Sequence, residues 1–347
     1  MNRKKKVLYV AHGHPDLSPG GGEWAAYFLY QAMKSSQEYE PYLLARNGDD
    51  KLRHPGARIH GYLSDDHVHL INICNGEYDY FAEYPYATSA HTVAMRDFLL
   101  ALKPDIIHFQ HTHHLGIELL RYARKLLPQV KLVYTLHEYI GICANAGAMI
   151  KTGTGQLCSR YSPADCSYCF PERKLRDFFL RERMFKSNYA LVSRFISPSH
   201  FLKERYVQWG LEPEKVVVLD NGRPIWPRRI RPPRQSGQPF TVAFIGQIVF
   251  HKGVDIFLAA AEEYKRRYIS LEENGRPNEE GVAPTTPRRF QLKGDAPEIR
   301  FSVYGKMGNV PIELKHAIER MAEDCREIVQ MHGAYHLEQL PEILSRV

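Results

Sequence analysis

The sequence predicts an α/β protein with two doubly wound domains. Short β-rich runs alternate with longer amphipathic ones, and the alternation breaks once, at a stretch dense in proline and arginine, before it restarts. A length of 347 residues fits two domains of roughly 150 residues, each large enough to bury a core. With 44% hydrophobic and 24% charged residues, disorder, collagen and coiled coil are excluded as descriptions of the whole chain.

In order, residues 5–11 read as a buried strand and 22–34 as a helix with apolar positions at Trp24, Phe28, Leu29 and Ala32. Residues 42–45 read as strand, 92–102 as helix, 105–109 as strand, 115–127 as helix and 131–136 as strand. A helix over 174–185, a strand at 195–196, a helix over 199–209 and a strand at 216–219 complete a first domain of residues 1–222. Residues 223–238 carry too many prolines for a helix or central strand and read as an extended linker whose arginines are solvated. The rhythm restarts over 239–347, with strands at 240–245, 299–304 and 328–332 and helices over 254–267, 312–323 and 337–344. Residues 270–297, polar and rich in Pro and Gly, read as a surface insertion. Three strands make about one of the two halves of a doubly wound sheet, so the second domain is expected to be incomplete.

The formal charge of +7 is modest and fits an anionic small substrate or a membrane surface, with no nucleic-acid partner. No apolar run approaches the roughly eighteen residues of a membrane span. The basic start at Arg3 to Lys6 precedes only five apolar residues, 7–11, too few for a secretory signal. The expected location is cytoplasmic, peripheral at most at an inner membrane face. Six cysteines are too few for a disulfide scaffold.

Between the first strand and first helix lies a loop from His12 to Glu23 with three successive glycines, Gly20, Gly21 and Gly22. Glycines at a helix start let a ligand approach the backbone, and the free N–H groups there attract anions. The plainer reading is a flexible strand-to-helix turn. The loop fits neither the G-x-G-x-x-G fingerprint nor a P-loop. His137 and Glu138 follow a strand end, where active-site side chains of open α/β sheets emerge; a histidine satisfied by local backbone is the alternative. His108 and Gln110 share one strand face, so His108, His111, His113 and His114 cannot all converge on a metal. Cys143, Cys158, Cys166 and Cys169 form C-x14-C-x7-C-x2-C. Four thiolates would complete a structural zinc centre stapling a long polar loop; reduced packing cysteines or a labile disulfide are the alternatives.

Six motifs stand in order: Gly20-Gly21-Gly22-Glu23; Asp105-Ile106-Ile107-His108; Thr135-Leu136-His137-Glu138; Ser197-Pro198-Ser199; Val218-Leu219-Asp220-Asn221-Gly222; and Phe244-Ile245-Gly246-Gln247 with His251-Lys252-Gly253. Together they resemble glycosyltransferase family 4, whose members have the GT-B fold of two facing Rossmann-like domains. The resemblance runs from about residue 7 to residue 347, interrupted by the insertion and the cysteine loop. It implies a hexosyltransferase of polysaccharide biosynthesis, with a nucleotide-diphosphate sugar as donor, a glycan or lipid-linked acceptor, retention of configuration and no catalytic metal cofactor.

By the same resemblance His137 contacts the donor sugar or orients the reacting groups, with Glu138 beside it. Gly20, Gly21, Gly22, Gly246, Gln247 and Lys252 serve the donor, and His111 and His113 lie on the acceptor side. A helix N-terminus offers only about half a positive charge, so a diphosphate leaving group needs a full cation, which Lys252 supplies. The family commonly has Arg where this chain has Gln247, which leaves that site a charge short unless His251 or another residue compensates. The family's E-x7-E pair follows the point where this chain ends, so the chain alone is expected to have little activity, as a fragment or as one of two polypeptides. Two rivals remain: a degenerate scaffold protein, and an NAD-dependent nucleotide-sugar epimerase or dehydrogenase, whose glycine fingerprint is missing here.

Overall fold

In the segment KKVLYVA every residue from Val7 onward is buried, as a parallel strand covered on both faces requires. The computed structural model describes residues 3–47, 58–62, 65–73, 78–85, 88–226, 237–271, 290–308 and 310–347. This segment is β1 (Lys5–Ala11). Strand alternation sends Leu8 and Val10 into one core layer with Leu44, Ile107 and Phe109, and Val7, Tyr9 and Ala11 into another with Ala26, Tyr30 and Leu43.

The described residues form two units, Met1–Pro224 and Ile225–Val347. In the first, β1 is followed by α1 (Gly21–Met33), β2 (Tyr39–Asn47), β3 (Ile59–Tyr62), β4 (Asp65–Asn72), the short pair β5 (Tyr78–Asp79) and β6 (Tyr84–Pro85), and α2 (Thr88–Leu102). Then come β7 (Ile106–Phe109), α3 (Leu119–Leu126), β8 (Lys131–Thr135), α4 (Pro163–Cys169), α5 (Leu175–Tyr189), β9 (Arg194–Ser197), α6 (His200–Trp209) and β10 (Val216–Val218). Among the described residues the main sheet has the order β10-β9-β8-β7-β1-β2-β4-β3. All its pairings are parallel except β3 with β4. The first pairings tie the chain's start to residues far along it: the Lys6 N–H donates to Asp105 Oδ2 at 2.8 Å.

Two sequence expectations fail here for identifiable reasons. The buried face of α1 is Glu23, Ala25, Ala26 and Tyr30, not the expected Trp24, Phe28, Leu29 and Ala32. Two alanines let the helix lie close on the sheet, while Trp24 and Phe28, one turn apart, stack on each other at 5.2 Å on its flank. Strands β3 and β4 have no clear sequence signal, because Asp65, Asp66, His67 and His69 break the apolar pattern; β4 buries Val68, Leu70 and Ile71 but keeps a polar, half-open start.

The second unit contains β11 (Phe240–Ile245), α7 (Val254–Tyr268), β12 (Ile269–Leu271), β13 (Phe290–Leu292), β14 (Ile299–Tyr304), α8 (Ile312–Asp324), β15 (Val329–Gly333) and α9 (Leu340–Arg346). Strands β11, β14 and β15 form a parallel sheet in that order, and Val303 of β14 packs with Leu258, Ala261 and Ile318. The expected insertion at 270–297 is no plain loop at its ends, because β12 and β13 pair antiparallel. Its central part, 272–289, and the linker residues 227–236 lie outside the described residues. No helix among the described residues is long and apolar enough to cross a membrane.

Candidate functional site

Strands β8, β7 and β1 are neighbours and parallel, so their carboxyl ends open on one edge of the first unit's sheet. Beside β1 the strand order changes direction, with β2 on one side and β7 on the other. Such a switch point is where open α/β sheets bind ligands. The loops leaving these three strands carry His12, the run Gln110 to His113, and His137 with Glu138.

Their side chains form a paired network. His111 is buried, and burial, followed by nearby His12 and His113, holds its pKa well below the ordinary histidine value. It is neutral, and its Nδ1 accepts the His113 N–H at 2.8 Å. The proton therefore sits on Nε2, which donates to Glu138 Oε1 at 2.8 Å. The other Glu138 oxygen accepts the Ile140 N–H. Burial still pushes the Glu138 carboxyl up to about 7. Gly147, at φ +70, makes room for this carboxylate; a Cβ there would collide with Glu138 Oε2. The Tyr139 N–H donates to Gly147 O at 3.3 Å, folding the loop back over Glu138.

His137 Nε2 lies 3.1 Å from Gln110 Oε1, which can only accept, so this nitrogen carries a proton. Burial and His111 lower its pKa to about 4. The Gln110 amide donates in turn to His108 Nε2 at 3.1 Å, and Thr135 Oγ1 lies 2.8 Å from the same nitrogen. On the other flank His12 Nε2 meets Glu23 Oε1 at 2.9 Å, and His113 Nδ1 meets Glu83 Oε2 at 2.9 Å. Tyr78 donates to that same Glu83 oxygen at 2.7 Å. The His12 and His111 rings are 4.5 Å apart and those of His111 and His113 5.7 Å, so three histidine–carboxylate pairs share one site. Among the described residues no lysine or arginine forms an ion pair with Glu23, Glu83 or Glu138.

The glycine loop is used differently from residue to residue. Burial alone would raise the Glu23 pKa, but bonds from His12 and from its own N–H outweigh it and hold the group below the ordinary value. Its carboxylate therefore stands as an anion at the start of α1. A Cβ on Gly20 would collide with that carboxylate, and one on Gly22 would meet His12 Cε1 at 3.3 Å. Gly21 alone of the three has open space where a Cβ would go. Two of the three glycines thus serve the protein's own packing, and only Gly21 is free for a ligand.

In the second unit Gly246 follows β11 and its N–H donates to Tyr304 O at 2.9 Å. A Cβ on Gly305 would overlap Gly246 O, so the two loops lie backbone on backbone. The Ile248 N–H donates to Lys306 O at 3.0 Å, which sets Lys306 one residue from Gln247 across the pair. Lys252 is not the first residue of α7. It closes a 3-10 turn, Phe250–Lys252, and Gly253 at φ +77 separates it from the helix. Gln247, His251, Lys252 and Lys306 are all exposed at this sheet edge. Among the described residues neither lysine has an ion-pair partner.

Residues 19–225 match the family described as glycosyltransferase family 4. The chain belongs to glycosyltransferase family 4. No curated protein matches the sequence. Solved structures similar to it include HepE of Anabaena in complex with UDP, at TM-score 0.54 and 14% identity, over 98% of this chain and 71% of that one. Sucrose-phosphate synthase from Thermosynechococcus elongatus aligns at TM-score 0.57 and 12% identity over 98% and 73% of the two chains. The catalytic domain of starch synthase IV from Arabidopsis thaliana, bound to ADP and acarbose, aligns at 0.56 and 13% over 99% and 77%. These likenesses show the fold, which is of the GT-B class.

For this family 4 chain, the structure gathers His111, His113, His137 and Glu138 at one edge, and places Gly246, Gln247 and Lys252 together at another. His12, Glu83 and Lys306 join these sites without a sequence motif that marks them. Glu83 gives no local signal, standing 30 positions from His113 in a short turn at φ 56. The cysteine loop is better built than expected: Ile150 and Leu157 form a β-bridge, Ser162 caps α4, and Cys143 and Cys158 pack on the main core. All four cysteines are free thiols, and among the described residues no three His, Cys, Asp or Glu side chains stand ready-made as a metal ligand set.

Proposed function

We propose that this chain is a nucleotide-sugar glycosyltransferase that moves a hexosyl group, with retention, onto a hydroxyl of a glycan or lipid-linked acceptor. The observation that carries the reading is the split of charge between the two sheet edges. Departure of a nucleotide diphosphate leaves negative charge that must be met as it develops. Lys252 and Lys306, exposed and without ion-pair partners among the described residues, suit that task, with Gly246 and Gln247 beside them. Lys306 supplies the charge that Gln247 lacks.

The first unit's edge is unsuited to a diphosphate, because Glu23 already holds the start of α1 as an anion. Neutral imidazoles, which donate from one nitrogen and accept at the other, and carboxylates, which accept, suit sugar hydroxyls instead. His137 orients the reacting groups, Glu138 exchanges a proton with a hydroxyl near neutral pH, and His111 and His113 position the acceptor. Gly21 leaves room for the sugar. HepE has been solved with UDP-glucose and starch synthase IV with ADP, which supports the donor class. The basic run Arg3 to Lys6 supports work at an anionic membrane surface.

The test is a panel of nucleotide-sugars scored for release of free nucleotide diphosphate, with parallel binding of the bare diphosphates. Release with one donor class is the expected result. Absence of both binding and release would overturn the reading in favour of a scaffold.

A further inference from the structure

The cysteine segment has no part in the reaction above. Cys143 leaves the turn after Glu138, Cys158 follows the Ile150–Leu157 bridge, and Cys166 and Cys169 lie one turn apart on α4. These three stretches bring all four thiols to the wall of one cavity of about 30 Å³. The fifth described cysteine, Cys325, is buried in the second unit's core, away from any other.

A further observation bears on an anionic centre there. Arg181, buried on the same wall, spends its guanidinium on the carbonyls of Phe81, Ile140 and Gly141. Among the described residues it forms no ion pair with a carboxylate. A buried cation hydrogen-bonded only to neutral groups is balanced by charge nearby; Glu83 acts on Arg181 most strongly, and Cys143 on the cavity wall comes next.

We propose that Cys143, Cys158, Cys166 and Cys169 bind one zinc ion as four thiolates. Binding releases four protons, Zn²⁺ + 4 RSH → Zn(SR)₄²⁻ + 4 H⁺, and leaves a net charge of −2 beside Arg181. The free thiols do not themselves form a finished coordination sphere, so the ion draws them together as it binds. The centre is structural: it pins the turn from Cys143 to Gly147, whose last residue covers Glu138.

The experiment uses the full chain purified under reducing conditions from zinc-supplemented culture. Elemental analysis should find about one zinc per chain, retained by Asp165→Asn, which alters the other acidic group on the wall. Cys158→Ser and Cys166→Ser should lower it at least about fivefold. Cobalt exchanged into the wild-type chain should show thiolate charge-transfer bands and tetrahedral visible bands. Four of the six cysteines should resist a thiol reagent until a chelator is added. The cobalt spectrum and the thiol count decide the matter even if the serine variants fail to fold. A metal-free chain with all four thiols reactive, or with them joined pairwise in disulfides by intact mass, would overturn the proposal.

Discussion

The carboxyl edges of the two parallel sheets are alike in architecture and opposite in charge. At the first, each of three carboxylates is matched by an imidazole, at 2.8 to 2.9 Å. At the second, Lys252 and Lys306 stand exposed, with no ion-pair partner among the described residues. A doubly wound sheet decides where ligands bind; the loops decide which charge they must carry. On the function proposed above, the first edge holds neutral, hydroxyl-bearing groups in fixed orientation, and the second accepts an anion.

The largest expected effect breaks that contrast at the second edge. A hydrogen bond from a charged group contributes about 1.5–3 kcal/mol, so Lys252→Ala combined with Lys306→Ala should weaken nucleotide diphosphate binding by roughly a hundredfold or more. Calorimetric titration reads this directly, and an unchanged Kd would remove both lysines from the site. His137→Ala should do the reverse, lowering turnover about a hundredfold with donor affinity within about threefold.

Glu138→Gln comes next, with turnover lower by about tenfold or more and the inflection near pH 7 lost from the rate profile. Its stability signature has a definite sign. The raised Glu138 pKa contributes stability that is present below the ordinary 4.5 and is lost as pH rises through about 7. His137, depressed to about 4, contributes stability present above 6.5 that is lost as pH falls through 4. The two oppose each other between pH 4.5 and 6.5. Removing the Glu138 contribution should therefore steepen the rise of stability with pH in chemical denaturation; a parallel curve would place Glu138 in a more solvated setting.

Within the glycine loop the contrast sharpens further. Gly20→Ala must displace the Glu23 carboxylate and should cost about 1–2 kcal/mol in thermal or urea unfolding. Gly21→Ala meets open space at a helix start and should leave stability unchanged or raise it by up to about 1 kcal/mol. Activity lost in the Gly21 variant without lost stability then reports a ligand. The smallest effect is a gain: Gln247→Arg adds a bidentate donor beside Lys306 and should tighten diphosphate binding by about three- to tenfold.

How much of this the residues announce depends on how far apart the partners lie. The buried run at β1 and the helix α6 are visible because they are local patterns of apolar spacing. His137 and Glu138 are visible because a strand ends beside them. The α1 face misleads because two alanines bury more completely than the larger Trp24 and Phe28. Glu83, His12 and Arg181 carry no local mark: Arg181 reaches Phe81 across 100 residues, and Glu83 reaches His113 across 30. Such pairings are properties of the assembled fold, and periodicity does not encode them.

The position of β1 at the middle of the sheet has a consequence for synthesis. On one side β1 meets β2, within about a helix of it; on the other it meets β7, and its Lys6 anchor to Asp105 spans 99 residues. As the chain leaves the ribosome, β1 and β2 can pair early, while the opposite rim of β1 stays open until β7 emerges. An apolar strand with an open rim is an invitation to mispairing. Contacts of such long separation also form slowly. The nascent chain should thus depend on chaperones until β7 has emerged, and its β1 segment should become protease-resistant only after that point.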